Sequence, residues 1–328
     1  MNDSLPFFHS TSQEINDLLL NEFLPEYQTY EHICFNRNVS YDKYDIVEFP
    51  SYLSIGENVE CNYLDTSDLK DILNTNGTSI FSLISLNIRS IPKNLDEFFT
   101  DFHSCNFDVI GLCETRLSEA IYPLYKLPGY DLFCKNRNNL GGGVLLFIKS
   151  RYQISVIDEI SIMESYLETI FVQVRLINGS SCLVGNFYRP PGGNINIFLT
   201  KIREILDTIT CKFSNQKVYL MGDFNIDLFK ISNNKYYSEY YSIMCSYGYS
   251  PSITRPTRVT SNTNSLIDQI WCNRLSEVSG CAVIFSTISD HFPISLWQQN
   301  SFSPENSSDS FVTYKCLKQN DQCHDDYR

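Results

Sequence analysis

No uninterrupted apolar run in the 328 residues exceeds five, as in Val144–Ile148, and a bilayer span needs about 20. The N-terminus lacks the basic and apolar regions of a secretory signal. We therefore expect an intracellular protein with no membrane association. No two of its 12 cysteines stand in a CxxC arrangement, which argues against a disulfide framework and for small buried hydrophobes in a reducing compartment. In the tail, Cys316, Cys323 and His324 offer three zinc donors without an evident fourth. Dense basic runs are also missing, and the net charge of −13 would by itself argue against a polyanionic partner. That charge belongs to the flanks. Residues 80–299 hold 19 basic and 19 acidic side chains, whereas residues 1–79 hold 3 against 14 and residues 300–328 hold 3 against 5.

Residues 1–79 show no sustained periodicity, although Glu14–Phe23 and Ser67–Leu73 can each form a short helix, and they read as a loosely packed acidic extension. From Ser79 the character changes. Ile80–Leu86 alternates like a strand and leads to Asn87; Leu95, Phe98, Phe99 and Phe102 fall on one helical face; Phe107–Cys113 is a second strand that delivers Glu114. Gly141-Gly142-Gly143 precedes the strand Val144–Ile148, and no P-loop lysine follows, so a hairpin connection is expected. Ile170–Leu176 and Cys182–Tyr188 flank Asn178-Gly179 as a second hairpin, closed by Tyr188-Arg189-Pro190-Pro191.

Phe198, Ile202, Ile205, Leu206 and Ile209 then mark an amphipathic helix. It leads to the strand Lys217–Met221 and to Gly222-Asp223-Phe224-Asn225, where a turn glycine sets a carboxylate and an amide at a strand end. Tyr236–Tyr247 reads as a helix, and Arg255-Pro256-Thr257-Arg258 as a proline-fixed loop with two cations. Asp268 interrupts the apolar strand Leu266–Trp271 and needs a partner there. Strand Cys281–Phe285 is followed by Ser289-Asp290-His291 and a closing strand, Pro293–Trp297. Residues 80–299 thus form one domain, and residues 300–328 a polar tail.

A sheet can bring such strand ends to one rim. Oxygen donors such as Glu114, Asp290 and Asn87 suit Mg2+, with Mn2+ as an alternative, and nothing in the set favours zinc. His291 beside an acid can hydrogen-bond Asp268, stay protonated and stabilise charge on a phosphoryl group.

The ordered series Ser85-Leu86-Asn87, Cys113-Glu114-Thr115, Phe187-Tyr188-Arg189-Pro190-Pro191, Gly222-Asp223-Phe224-Asn225, Leu266–Trp271 and Ser289-Asp290-His291 resembles the endonuclease/exonuclease/phosphatase superfamily over about residues 80–298. Asn87-Ile88-Arg89-Ser90, Leu127-Pro128-Gly129-Tyr130, the triple-glycine strand, and the Tyr188 and Arg255 loops look most like the endonuclease domain of non-LTR (LINE-type) retrotransposons. The resemblance implies a DNase I-like α/β fold, a four-layer sandwich of two facing mixed β-sheets flanked by helices. It also implies nicking of DNA with a divalent cation. Glu114, Asn87 and Asp290 would then serve the metal; Asp223 would activate water oriented by Asn225; Asp268 would hold His291 toward the phosphate, and Tyr188 would contact it. Asn87, Arg189, Arg255 and Arg258 become candidates to bind substrate.

Arg89 stands where abasic-site repair members of the superfamily carry aspartate, which disfavours that branch. The Tyr/Phe-Ala-Asp-Asp motif of a reverse transcriptase is missing, so the chain reads as a fragment or a stand-alone remnant of such an element. Nuclear residence is expected from a chromosomal substrate alone. Two readings stay open beside DNA cleavage. One is a phosphatase or phosphodiesterase of the same fold acting on inositol phosphates or phospholipid head groups, though the Pro-Ala-Trp-Cys-Asp-Arg-type motif is missing. The other is an inactive remnant that only binds.

Overall fold

The computed structural model describes residues 59–75, 80–137, 141–176 and 178–299. The expected helix Glu14–Phe23 and the Cys316, Cys323 and His324 tail lie outside them. In chain order the elements are β1 (Cys61–Leu64), α1 (Thr66–Thr75), β2 (Ile80–Asn87), α2 (Ile91–Phe102), β3 (Val109–Cys113), β4 (Tyr130–Lys135), β5 (Val144–Lys149), β6 (Gln153–Val156), β7 (Met163–Glu164), β8 (Leu167–Arg175) and β9 (Ser181–Tyr188). There follow α3 (Ile195–Phe213), β10 (Lys217–Asp223), α4 (Lys235–Ser246), β11 (Ser250–Pro251), β12 (Arg258–Val259), β13 (Asn264–Ser265), β14 (Asp268–Cys272), β15 (Gly280–Ile284) and β16 (Ile294–Gln299).

One sheet has the order β1-β15-β16-β2-β3-β5-β4, the other β11-β14-β10-β9-β8-β6, with β7 on β8. Both mix parallel and antiparallel neighbours, and helices cover their outer faces, the expected DNase I-like sandwich. Period-two alternation assigns each side chain to a layer. In β2, Phe81 and Leu83 enter the core shared with the second sheet, while Ile84 and Leu86 face the cluster that α1 and α2 complete with Leu69, Leu95, Phe98 and Phe102. By the same parity Asn87 points between the sheets. On the far side Phe198, Ile202 and Ile205 of α3 and Tyr240 of α4 cover the second sheet around the buried Trp271.

Two expectations are corrected. The domain begins before residue 80, because β1 pairs in parallel with β15 through Cys61↔Cys281 to Leu64↔Ile284, and Leu69 of α1 is fully buried. The short run Cys-Asn-Tyr-Leu carries little alternation, and only its pairing makes it a strand. Asp268 also begins its strand instead of interrupting it. Leu266 and Ile267 precede the ladder, and antiparallel pairing sets Asp268 directly across from Asp223.

Candidate active site

The parallel pairs β2/β3 and β9/β10 end at one rim, so Asn87, Glu114, Tyr188 and Asp223 arrive there from four strands. The start of β14 adds Asp268, and the turn from β15 to β16 adds Asp290 and His291. Six separated segments therefore meet. Backbone strain gathers at the same place. Of the five non-glycine residues with left-handed φ among the described residues, Arg89, Glu114, Arg116 and Asn225 lie here. Gly222 has φ +134°, and a Cβ on it would stand 2.0 Å from the Phe187 carbonyl oxygen, so only glycine lets β10 lie this close to β9 at the site.

Asn87 links the carboxylates. Its Nδ2 donates to Glu114 Oε1 and to Asp223 Oδ2, both at 2.9 Å. Tyr188 Oη donates to the same Glu114 oxygen at 3.1 Å, and Asn225 Nδ2 donates to Asp223 Oδ2 at 3.1 Å. His291 Nδ1 lies 2.8 Å from Asp268 Oδ2, which also accepts from Thr257 Oγ1 at 2.7 Å. Thr257 was not legible as a site residue; its hydroxyl additionally accepts the Asp268 N–H at 3.1 Å and so fixes the carboxylate that orients the ring. Ser289 Oγ donates to the Asn87 carbonyl at 2.7 Å and holds the His291 turn against β2.

Burial and charge set the protonation states. Asp223 is 1% exposed; burial and the neighbouring Asp268 carboxylate raise its pKa to about 7 against the opposing pull of His291 and Asn87. Burial disfavours a charged His291, but Asp268, Asp223 and Asp290 outweigh it and raise the ring to about 9. Burial also works against the Asp290 anion, yet His291, Arg258 and Arg89 prevail and lower its pKa. Near neutral pH the pocket therefore holds an imidazolium beside a carboxyl close to its midpoint, an acid and a base side by side.

The predicted substrate cations divide. Arg258 Nη2 pairs with Asp290 Oδ2 at 2.6 Å and stays half-exposed at the rim. Arg189 and Arg255 depart from expectation. Arg189 is 6% exposed; its guanidinium donates to the Asn225 and Gly193 carbonyls at 3.1 and 3.3 Å and lies over the Phe198 ring, so it braces the Asp223–Asn225 turn from behind. Arg255 Nε donates to the Cys61 carbonyl at the N-terminal end of β1.

Asp223, Asp268 and His291 each bring one atom within 4.8 Å of the others, a spacing compatible with a metal ion. A protonated ring whose Nδ1 already faces Asp268 is a poor ligand, however, and the trio is better suited to holding a proton. Asp290 faces two guanidiniums, Arg89 Nη1 at 3.1 Å besides Arg258. The carboxylate oxygens of Glu114 and Asp223, linked through Asn87 Nδ2, are the donors that fit a hard cation such as Mg2+, while the predicted ligand atom of Asn87, its Oδ1, accepts the Arg89 N–H at 3.1 Å.

Residues 84–291 match the Endonuclease/Exonuclease/phosphatase family, and the chain belongs to it. Among solved structures, the endonuclease domain of TRAS1, a telomere-specific non-LTR retrotransposon, superposes with a TM-score of 0.54 at 13% identity, covering 68% of this chain and 100% of that one. A mannosyl-6-phosphatase of Bacteroides thetaiotaomicron gives 0.51 at 17% identity, covering 66% and 98%. The catalytic domain of Xenopus laevis APE2 gives 0.51 at 16% identity, covering 67% and 93%. At such identities these likenesses establish the fold alone. No curated protein matches the sequence significantly. Among the described residues, no helix is long and apolar enough to cross a membrane.

Proposed function

We propose that the protein is a divalent-metal-dependent phosphodiesterase that nicks DNA, in the manner the resemblance to retrotransposon endonucleases implies. The observation that carries the proposal is the meeting of Glu114, Asp223 with Asn225, and Asp268 with His291 at one rim, with Asp223 poised at about 7 and His291 at about 9. Glu114 and Asn87 would hold the cation, which when bound supplies Lewis-acid stabilisation of a phosphoryl oxygen.

The chain's own groups supply the rest. The Asp223 carboxylate would take the proton of the attacking water, with Asn225, whose amide is fixed on Asp223 and on the Arg189 carbonyl, beside it to orient that water. The imidazolium of His291, kept in one orientation by Asp268 and Thr257, faces the charge that develops on the phosphoryl oxygens. Tyr188 Oη, now on Glu114, is placed to donate to the scissile phosphate. Half-exposed Arg89 and Arg258 offer cations to a phosphate backbone. A chromosomal substrate would place the protein in the nucleus.

The test is supercoiled plasmid with Mg2+, wild-type protein against Asp223→Ala. Nicked circles should form with the wild type only. A mannosyl-6-phosphatase shares this fold, so phosphate release from inositol phosphates or lipid head groups without plasmid nicking would move the assignment to a phosphatase. Plasmid binding without either product, insensitive to Glu114→Ala, would mark a binding remnant.

A further inference from the structure

Glu114 reaches the rim on a costly turn. It and Arg116 both adopt left-handed φ, 51° and 54°, with the buried Thr115 between them. Side chains with a Cβ resist that conformation, so something must impose it. The Gly142–Gly143 segment does so from one side. Thr115 N–H donates to the Gly143 carbonyl at 3.3 Å and Arg116 N–H to the Gly142 carbonyl at 2.9 Å.

The glycine segment is itself left-handed, with φ of 69° and 95°, and a Cβ on Gly143 would stand 2.2 Å from Thr115 Oγ1. What fixes it is a residue of the other sheet. Glu168, on β8 and fully buried, accepts the Gly143 N–H on Oε2 at 2.5 Å, while its Oε1 faces Arg137 Nη1 at 3.1 Å. Arg137 Nε in turn donates to the Gly141 carbonyl at 3.0 Å, so the segment is gripped at both ends. Glu168 also stands across the β8/β9 ladder from Tyr188, whose hydroxyl lies on Glu114.

We infer that Glu168, with Arg137, is a positioning residue for the metal ligand Glu114, acting through the Gly142–Gly143 carbonyls and joining the two sheets at the rim. The inference rests on the proposed metal role of Glu114. Without the carboxylate, the Gly143 N–H loses its buried acceptor and Arg137 its counter-charge, and the turn carrying Glu114 is free to relax. Outer-shell partners of this sort change metal affinity by about 10–100-fold.

The experiment is calorimetric titration of Mn2+ into the full chain, as wild type, Glu114→Ala, Glu168→Ala and Glu168→Gln, each checked by thermal melting. Glu168→Ala should bind Mn2+ at least ~10-fold more weakly, and Glu168→Gln, which keeps an acceptor oxygen for Gly143, should recover most of that loss. If Glu168→Ala fails to fold, Arg137→Ala loosens the other end of the same segment and should weaken binding in the same direction. Wild-type binding that Glu114→Ala abolishes and the folded Glu168 or Arg137 variants leave unchanged overturns the inference while sparing the metal site. A wild type that binds no Mn2+ overturns both.

Discussion

Replacing Asp268 by asparagine tests the electrostatic core of the site. The ring of His291 is raised from an ordinary 6.5 to about 9, an interval worth roughly 3 kcal/mol in favour of its charged form. Burial opposes that charge, so the carboxylates must overcome burial as well, and Asp268 is the strongest of them. Asp268→Asn keeps the shape and leaves Thr257 Oγ1 an acceptor while removing the anion. The His291 pKa should fall by ~1–3 pH units, the effect of one close opposite charge. The linkage has a definite sign. A pKa higher in the folded than in the unfolded chain stabilises the fold fully below about 6.5, and that contribution is lost as pH rises through about 9. Urea unfolding of the metal-free wild type should therefore show stability falling between pH 7.5 and 9.5, and Asp268→Asn should flatten the slope. Ring titration by NMR, with His291→Gln to assign the signal, reads the pKa directly. A His291 signal still titrating near 9 in Asp268→Asn would refute the electrostatic reasoning.

Other outcomes follow from the same contacts. The rate of plasmid nicking against pH should rise at or below about 7, as Asp223 loses its proton beside a cation, and fall near 9, as His291 loses its own. Leu69→Ala should cost about 2–5 kcal/mol in urea unfolding, because α1 belongs to the packed domain, and a value near zero would return residues 61–75 to a loose extension. Arg258→Ala should leave the melting temperature alone while lowering the salt slope of DNA binding by about one phosphate. Arg189→Ala should lower stability and activity together, since its buried guanidinium holds the Asn225 turn from behind; binding loss at unchanged stability would contradict that.

How far the sequence revealed the site depended on whether a residue's role was local. Asn87, Glu114 and Asp223 follow apolar strands, and polarity at a strand end is visible in a single segment. The partnership of Asp268 with His291 could be guessed because a carboxylate among Leu266, Ile267 and Ile270 requires a partner. Contacts between distant segments were not legible. Thr257 in a proline loop, Glu168 at the head of a strand and Arg137 in a polar stretch gain meaning only through partners 11, 25 and 31 positions away. Arg189 misled for a related reason. A cation between tyrosine and proline reads as exposed, and only the approach of α3 and the Asn225 turn buries it. The edge strand β1 escaped because four residues of mixed polarity carry no period.

Charge pairing at the rim narrows the roles further. Glu114 faces Arg116, Glu168 faces Arg137, Asp290 faces Arg89 and Arg258, and Asp268 faces His291. Asp223 differs from the other four in that its oxygens rest only on amide groups, the side chains of Asn87 and Asn225 and the Asn225 N–H. An acid stabilised by neutral donors and crowded by Asp268 holds its proton to higher pH than one locked against a guanidinium, which is what a general base working near neutrality requires. The four paired acids are already neutralised in the resting rim. Because Asp290 faces two guanidiniums, the rim carries five cationic partners for its five acids, so under the proposed function a cation added beside Asp223 would leave the rim net positive, which suits a phosphate-bearing ligand even on a chain whose overall charge is strongly negative.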